Sequence, residues 1–266
     1  MGSRITGFFQ RIGIFIIVLY TIACIALYVA QNKLIFDPSK LSDDFQFRHG
    51  QEVEVPVEED LSLNCLLFKN NNPKGVILYL HGNRGSNRRC TRQAEMFEGL
   101  GYDIFMPDYR GYGKSEGSLC CEDQMYHDVQ SVYNFLLNRY EQDDIVVLGY
   151  SLGTGMATYL AANNSPKHLV LIAPYLSFID LKNRIFPLIP NFLIKFPLNT
   201  EKMIANVACP ISIFHGTADE IIPYDSSEKL ASKAVNATLT TLEGTGHRRT
   251  IFHDRVRREV GRVLGR

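Results

Sequence analysis

The sequence predicts an α/β fold, a mostly parallel sheet of eight strands with helices on both faces, preceded by a separate apolar helix. Three observations lead there. From Val76 onward, apolar runs of five or six residues alternate with longer amphipathic stretches, and strands connected through helices lie parallel with both faces covered. One run, Ile145 to Leu148, leads into Gly149-Tyr150-Ser151-Leu152-Gly153 and then into helix formers from Met156 to Ala162. That reads as a strand turning sharply into a helix with a serine at the turn. About 230 residues follow the amino-terminal apolar run, which suits one domain with one large core.

The elements follow in chain order. Residues 1–11 read as a tail, and Ile12 to Ala30 runs for nineteen residues without a charge. At about 1.5 Å per residue that helix is about 28 Å long, close to the ~30 Å hydrocarbon core of a bilayer, so residues 12–30 are expected to span a membrane. A cleaved signal peptide is the competing reading, but the run exceeds the usual ~7–15 apolar residues, and Tyr28 spoils a small-x-small site before Gln31. Lipoprotein cleavage at Cys24 would split the run in half, and the loose myristoylation pattern Met1-Gly2-Ser3-Arg4-Ile5-Thr6 is redundant beside a spanning helix. A single-pass protein with an amino-terminal anchor is expected. Arg4 and Arg11 before the run nearly balance Lys33, Lys40 and Arg48 after it, so no side of the membrane is assigned to the domain.

Residues 31–51 read as a juxtamembrane connector and residues 52–266 as the folded domain. Glu52–Val57 and Leu63–Lys69 open it as an antiparallel pair. Strands are then expected at Val76–Leu80, Asp103–Met106, Ile145–Leu148, Leu169–Ile172, Ile211–Phe214 and Ala237–Leu242. Helices are expected near Arg88–Gly99, Glu122–Tyr140, Thr154–Ala162, Asp225–Ala234 and Ile251–Leu264, the last from apolar positions 252, 256, 260 and 263. Asp108 to Ser115 reads as a tight turn, fixed by an Asp108–Arg110 pair.

The chemistry begins at Ser151. Glycines on either side tolerate the crowding of a sharp strand-to-helix turn, and the turn holds the serine in a strained, exposed conformation. Serine is a poor nucleophile at neutral pH until a base takes its proton, and the base needs an acid to orient it. Ile211–Phe214 leads into His215-Gly216-Thr217-Ala218-Asp219, and Ala237–Leu242 leads into Gly244-Thr245-Gly246-His247. Ser151, Asp219 and His247 therefore follow one another as nucleophile, acid and base, each in a loop beyond a strand. Glu220, beside Asp219, and Asp180, after the strand at Leu169, compete for the role of acid. Val76–Leu80 runs into His81-Gly82-Asn83, where a backbone N–H can share a pocket with that of Leu152 and stabilise an oxyanion.

These segments, together with Asp108-Tyr109-Arg110-Gly111-Tyr112-Gly113-Lys114-Ser115, resemble the α/β-hydrolase superfamily. Within it they are similar to the Bem46 type of membrane-anchored serine hydrolase, ABHD13- and ABHD17-like. The resemblance spans Val76 to His247. It implies an α/β-hydrolase fold with Ser151 as nucleophile, Asp219 as acid, His247 as base, and the backbone N–H groups of Asn83 and Leu152 as the oxyanion hole. His81 and His215, each before a glycine at a strand end, are expected to hydrogen-bond locally, and His253 to lie within the last helix. In such a fold the segment at about 176–208 is an insertion above the nucleophile. Its prolines rule out one long helix, and its Phe, Leu and Ile residues read as a small apolar cap suited to an acyl chain.

The function expected is a membrane-anchored serine hydrolase of the carboxylesterase, thioesterase or lipase type. It would cleave acyl esters or thioesters through an acyl-enzyme, with residues 12–30 in the lipid bilayer. A serine peptidase on the same fold and an inert membrane-tethered binding module are the alternatives. Formal charge balances at 28 basic and 28 acidic residues, which gives nucleic acid no electrostatic footing. Asp108–Ser115 lacks phosphate-loop spacing, and the seven histidines and six cysteines show no Cys-x-x-Cys or His-Glu-x-x-His arrangement, so neither cofactor nor metal is expected. The adjacent Cys120-Cys121 pair suits a reducing compartment.

Overall fold

The computed structural model describes residues 2–265; Met1, which opens the predicted tail and the myristoylation pattern, lies outside them. Helix α1 (Gly2–Ile35) is longer than the apolar run and takes in most of the tail and the first residues of the connector. Nothing in Gln31-Asn32-Lys33 breaks a helix, so the backbone hydrogen bonds continue past the end of the apolar stretch.

The chain then forms β1 (Asp37–Pro38), β2 (Gln51–Glu58), β3 (Leu61–Phe68), β4 (Val76–Leu80), β5 (Arg84–Gly85), β6 (Asp103–Pro107), β7 (Ile145–Tyr150), β8 (His168–Ile172), β9 (Ile211–Gly216) and β10 (Ala237–Leu242). Eight of these make one sheet in the order β10-β9-β8-β7-β4-β6-β3-β2, while β1 and β5 pair separately as a two-residue ladder. Every neighbour in the large sheet is parallel except β2 with β3 and β3 with β6. Pro56 lies in the edge strand β2, where the register slips at a bulge and the missing N–H costs little.

The helices are α2 (Asn87–Ala94), α3 (Glu122–Leu137), α4 (Gly153–Asn163), α5 (Phe178–Ile185), α6 (Thr200–Met203), α7 (Asp225–Lys233), α8 (His247–Thr250) and α9 (Asp254–Val263). Strand alternation sends Val76, Leu78, Leu80, Ile145, Val147, Leu169 and Leu171 to one core layer, shared with α3 and α4. Ile77, Tyr79, Val146, Leu148, Val170 and Ile172 face a second layer with α2 and α9.

Two expectations need correction. The last helix starts three residues later than expected, at Asp254, since His253 caps α9 by accepting the N–H of Arg255 at 3.1 Å instead of continuing a helix from Ile251. Asp108 and Arg110 do not pair. Arg110 donates to both oxygens of Asp128 on α3, each at 2.7 Å, and to Glu58 at 2.6 Å. Asp108 instead accepts the N–H of Asn87 at 2.8 Å and faces His81 Nε2 at 3.4 Å. Neighbours in a tight turn point apart, so each found a partner across the fold.

Between β8 and β9 the chain forms the predicted insertion, with α5, a short turn at 191–193 and α6 broken by Pro187, Pro190 and Pro197.

Candidate active site

The parallel strands set out the site, because their carboxyl ends share one edge of the sheet. At the end of β7, Ser151 has φ 52°, a left-handed conformation that a serine adopts only under constraint. Its N–H donates to Ile172 O at 2.9 Å, and its carbonyl accepts the Thr154 hydroxyl at 2.6 Å. The flanking glycines are steric necessities. A Cβ at Gly153 would come 2.0 Å from Leu80 O, and one at Gly149 would come 2.6 Å from Gly153 O.

Ser151 Oγ–H donates to His247 Nε2 at 2.9 Å, and His247 Nδ1–H donates to Asp219 Oδ2 at 2.7 Å. His247 opens α8 and is buried, with the Tyr150 ring stacked on it at a centroid distance of 5.5 Å. The structure thus brings together the three side chains named from three separate loops. The rival acids lie elsewhere. Asp180 on α5 pairs with Arg184 at 2.9 Å, and Glu220 accepts the backbone N–H of His247 at 3.1 Å instead of meeting its ring.

Asp219 is held more elaborately than the sequence indicates. Its Oδ1 accepts the N–H groups of Ile221 and Ile222 at 2.9 and 2.8 Å. Its Oδ2 faces a second imidazole, His215, at 3.1 Å. The proton on that imidazole is fixed by its neighbours. His215 Nε2 lies near two acceptors, Asp219 Oδ2 and Ile222 O, so it carries hydrogen, while Nδ1 accepts from the Ser227 hydroxyl at 2.6 Å. Burial pushes the Asp219 carboxyl up, but the hydrogen bonds from His215 and His247 outweigh it and hold the group well below the usual carboxylate range. His215 is local, as expected, yet it acts on the acid; its place four residues before Asp219 was the available signal.

Asn83 and Leu152 line the same cavity as Ser151. The loop carrying Asn83 is pinned from several sides. Tyr109 OH donates to His81 O at 2.8 Å, Tyr112 OH donates to Asn83 O at 2.7 Å, and Asp37 N–H also donates to Asn83 O at 3.0 Å. His81 Nδ1–H turns back to Gly82 O at 2.6 Å. The tyrosines of the Asp108–Ser115 motif therefore serve the loop after β4. Both residues line the cavity, and among the described residues neither Asn83 N–H nor Leu152 N–H has a hydrogen-bond acceptor.

The cavity measures about 630 Å³. Its walls come from the insertion, through Phe178, Leu181, Ile185, Phe186, Ile189 and Leu193, and from α1, through Cys24, Leu27, Tyr28, Gln31, Leu34 and Ile35. The contribution of α1 was not foreseen. Its contacts with the insertion cross more than a hundred residues of sequence and leave no local pattern.

Residues 75–202 match the family model described as the alpha/beta hydrolase fold. Lysophosphatidylserine lipase ABHD12 of Danio rerio is 29% identical over 192 residues, covering 64% of this chain and 49% of the relative. The chain thus spans about half the length of the ABHD12 relatives it matches. An uncharacterized protein of Mycobacterium tuberculosis, Rv2307c, is 27% identical over 231 residues, covering 83% of this chain and 82% of that one. Among solved structures, the Pyrococcus furiosus esterase Pf2001 superposes with a TM-score of 0.69 at 19% identity, covering 86% of this chain and 98% of that one. A Paleococcus ferrophilus monoacylglycerol lipase superposes with a TM-score of 0.60 at 19% identity, covering 76% and 98%. At such identities the likeness is one of fold.

Proposed function

We propose that this chain, whose residues 75–202 match the alpha/beta hydrolase fold model, is a membrane-anchored serine hydrolase cleaving carboxylic ester or thioester bonds of acyl, lipid-type substrates. The observation that carries the reading is the continuous relay from Asp219 through His247 to a strained Ser151 at the floor of a largely apolar cavity.

His247 takes the proton from Ser151 as the hydroxyl oxygen attacks the carbonyl carbon. The carbonyl oxygen becomes an oxyanion between the N–H groups of Asn83 and Leu152. Its collapse expels the alcohol or thiol, which leaves with the proton from His247. Water then attacks the acyl-enzyme by the same route and frees the acid. Asp219, ionised throughout, fixes the Nδ1–H tautomer and stabilises the imidazolium. Loss of one oxyanion donor costs about 3 kcal/mol in the transition state, so the loop at Asn83 contributes alongside the triad.

Lipid-type substrates are favoured by the apolar walls and by the similarity to the lysophosphatidylserine lipase ABHD12. Retention of α1 as an anchor, in preference to its removal as a signal sequence, is supported by its polar contacts with the folded domain. Gln31 Nε2 donates to Leu193 O at 2.7 Å, and Gln31 Oε1 accepts the Lys195 N–H at 2.9 Å.

The test is hydrolysis of a graded series of acyl esters and thioesters by the full chain in detergent, with Ser151→Ala prepared identically. Activity that rises with chain length and vanishes in the variant is expected. Faster turnover of acetyl than of longer esters overturns the lipid preference, and inactivity of both proteins moves the reading to a peptidase or a binding role.

A further inference from the structure

The insertion and α1 are joined along a length that matters. Two contacts lie at the carboxyl end of the apolar run, where the Gln31 amide bridges Leu193 and Lys195 and the Lys195 ammonium sits 4.3 Å from the centre of the Tyr28 ring. A third lies far up the helix, where Tyr20 OH donates to Leu188 O at 2.7 Å. Tyr20 is eleven residues before Gln31, which is about 16 Å along a helix, and it stands in the middle of the charge-free stretch Ile12 to Ala30. With Gln31, Asn32 and Lys33 at the membrane–water boundary, the tip of the insertion lies as deep as about half of the ~30 Å hydrocarbon core.

The side chains at that tip fit the depth. Leu188 and Phe192 are 81% and 84% exposed, and Ile185 and Phe186 also face outward. They continue the uncovered apolar surface of α1, which the rest of the protein scarcely touches. Lys182 and Gln31 are tied internally, while Asn183, Arg184 and Asn191 are exposed beside the apolar residues. Lys182 Nζ donates to Ile189 O at 2.6 Å and to Asn191 Oδ1 at 2.7 Å, and the Gln31 amide uses both of its ends. The cavity that holds Ser151 lies between these same two elements, walled by Cys24, Leu27 and Tyr28 on one side and by Ile185, Phe186 and Ile189 on the other.

We propose that the tip of the insertion and the carboxyl-terminal half of α1 form one element embedded in a single leaflet, and that the cavity opens sideways between them. The substrate is then an acyl lipid resident in the bilayer, drawn in laterally by its chain. Immersion of the tip is independent of the chemistry; that the occupant is a substrate rests on the hydrolase reading above.

The chain has no tryptophan, so Phe192→Trp in the whole chain places a lone, selectively excited tryptophan at the tip. Val235→Trp, on the exposed loop before β10, is the aqueous control. In proteoliposomes, lipids brominated on the acyl chain are expected to quench the tip fluorophore while aqueous iodide does not, with the reverse for the control. Iodide quenching at position 192 without bromolipid quenching overturns the immersion. The kinetic arm compares wild type with the double variant Leu188→Asp, Phe192→Asp, using a long-chain monoacyl lipid in the vesicle and a soluble butyrate ester. Lipid turnover is expected to fall at least about tenfold while butyrate turnover stays within about twofold, since only the lipid route requires carboxylates to enter hydrocarbon. Unchanged lipid turnover overturns lateral entry. If wild type hydrolyses neither substrate faster than Ser151→Ala, the hydrolase reading fails, and the fluorescence result stands by itself. A double variant that loses both activities has lost its fold, and the quenching of the tip fluorophore then decides.

Discussion

Asp219 Oδ2 faces two imidazoles, and their roles differ. His247 also reaches Ser151, whereas His215 does not, so in the proposed mechanism His215 is a positioning residue. Replacing His215 by Phe removes one hydrogen bond to an ionised group, worth about 1.5–3 kcal/mol. The expected result in steady-state kinetics is a kcat lower by about tenfold to a hundredfold with KM unchanged. A loss confined to KM contradicts the role. Another histidine governs acid stability. Burial lowers the His168 imidazole from 6.5 to about 4, with Nε2 2.9 Å from Ser212 Oγ. Between those values the unfolded chain binds the proton and the folded one does not, so stability is full above 6.5 and declines as pH falls to about 4. His168→Gln is expected to flatten that decline, read as the thermal midpoint in detergent at stepwise pH.

The elements around the site tolerate change unequally. The end of strand β4 and helix α4 approach so closely that Gly153 has no room for a methyl group against Leu80 O. Gly153→Ala is therefore expected to cost more than about 3 kcal/mol and to lower both the yield of folded protein and its thermal midpoint. The turn after β6 is tied to α3 and β2 through Arg110, which is buried with Asp128. Arg110→Met leaves that carboxylate unpaired, at about 3–5 kcal/mol, whereas the double change with Asp128→Leu recovers much of the loss. Thermal midpoints of the two variants check the difference; equal losses contradict the pairing. The sequence showed that turn clearly but misassigned its ties, because the Asp108–Ser115 motif does not reveal that its arginine crosses to α3 while its aspartate turns to α2. The same limit hid the break before α9. An apolar period continues through His253 even though the backbone leaves the helix there.

For the molecule as a whole, the legible part was whatever repeats locally. The six strands from Val76 onward and the opening antiparallel pair were legible as short strand-like segments, and Ser151, Asp219 and His247 were singled out because each lies in a glycine-marked loop beyond such a segment. The illegible part was the docking of α1, whose apolar residues look the same whether they face lipid, cap or cavity. Gln31, followed by Asn32 and Lys33 at the end of its apolar run, was the visible polar feature, and its 7% exposure fits a clasp. Gln31→Ala strands the Leu193 carbonyl and Lys195 N–H, and hydrogen exchange at 186–195 is expected to speed up while the strands stay protected. The account as a whole stands on Ser151 as the activated nucleophile, and labelling of the full chain by a fluorophosphonate, with mass spectrometry of the adduct, tests it most directly. One adduct on Ser151, absent from Ser151→Ala and slower to form in His247→Gln, is the predicted result; no adduct, or one on another serine, would contradict it.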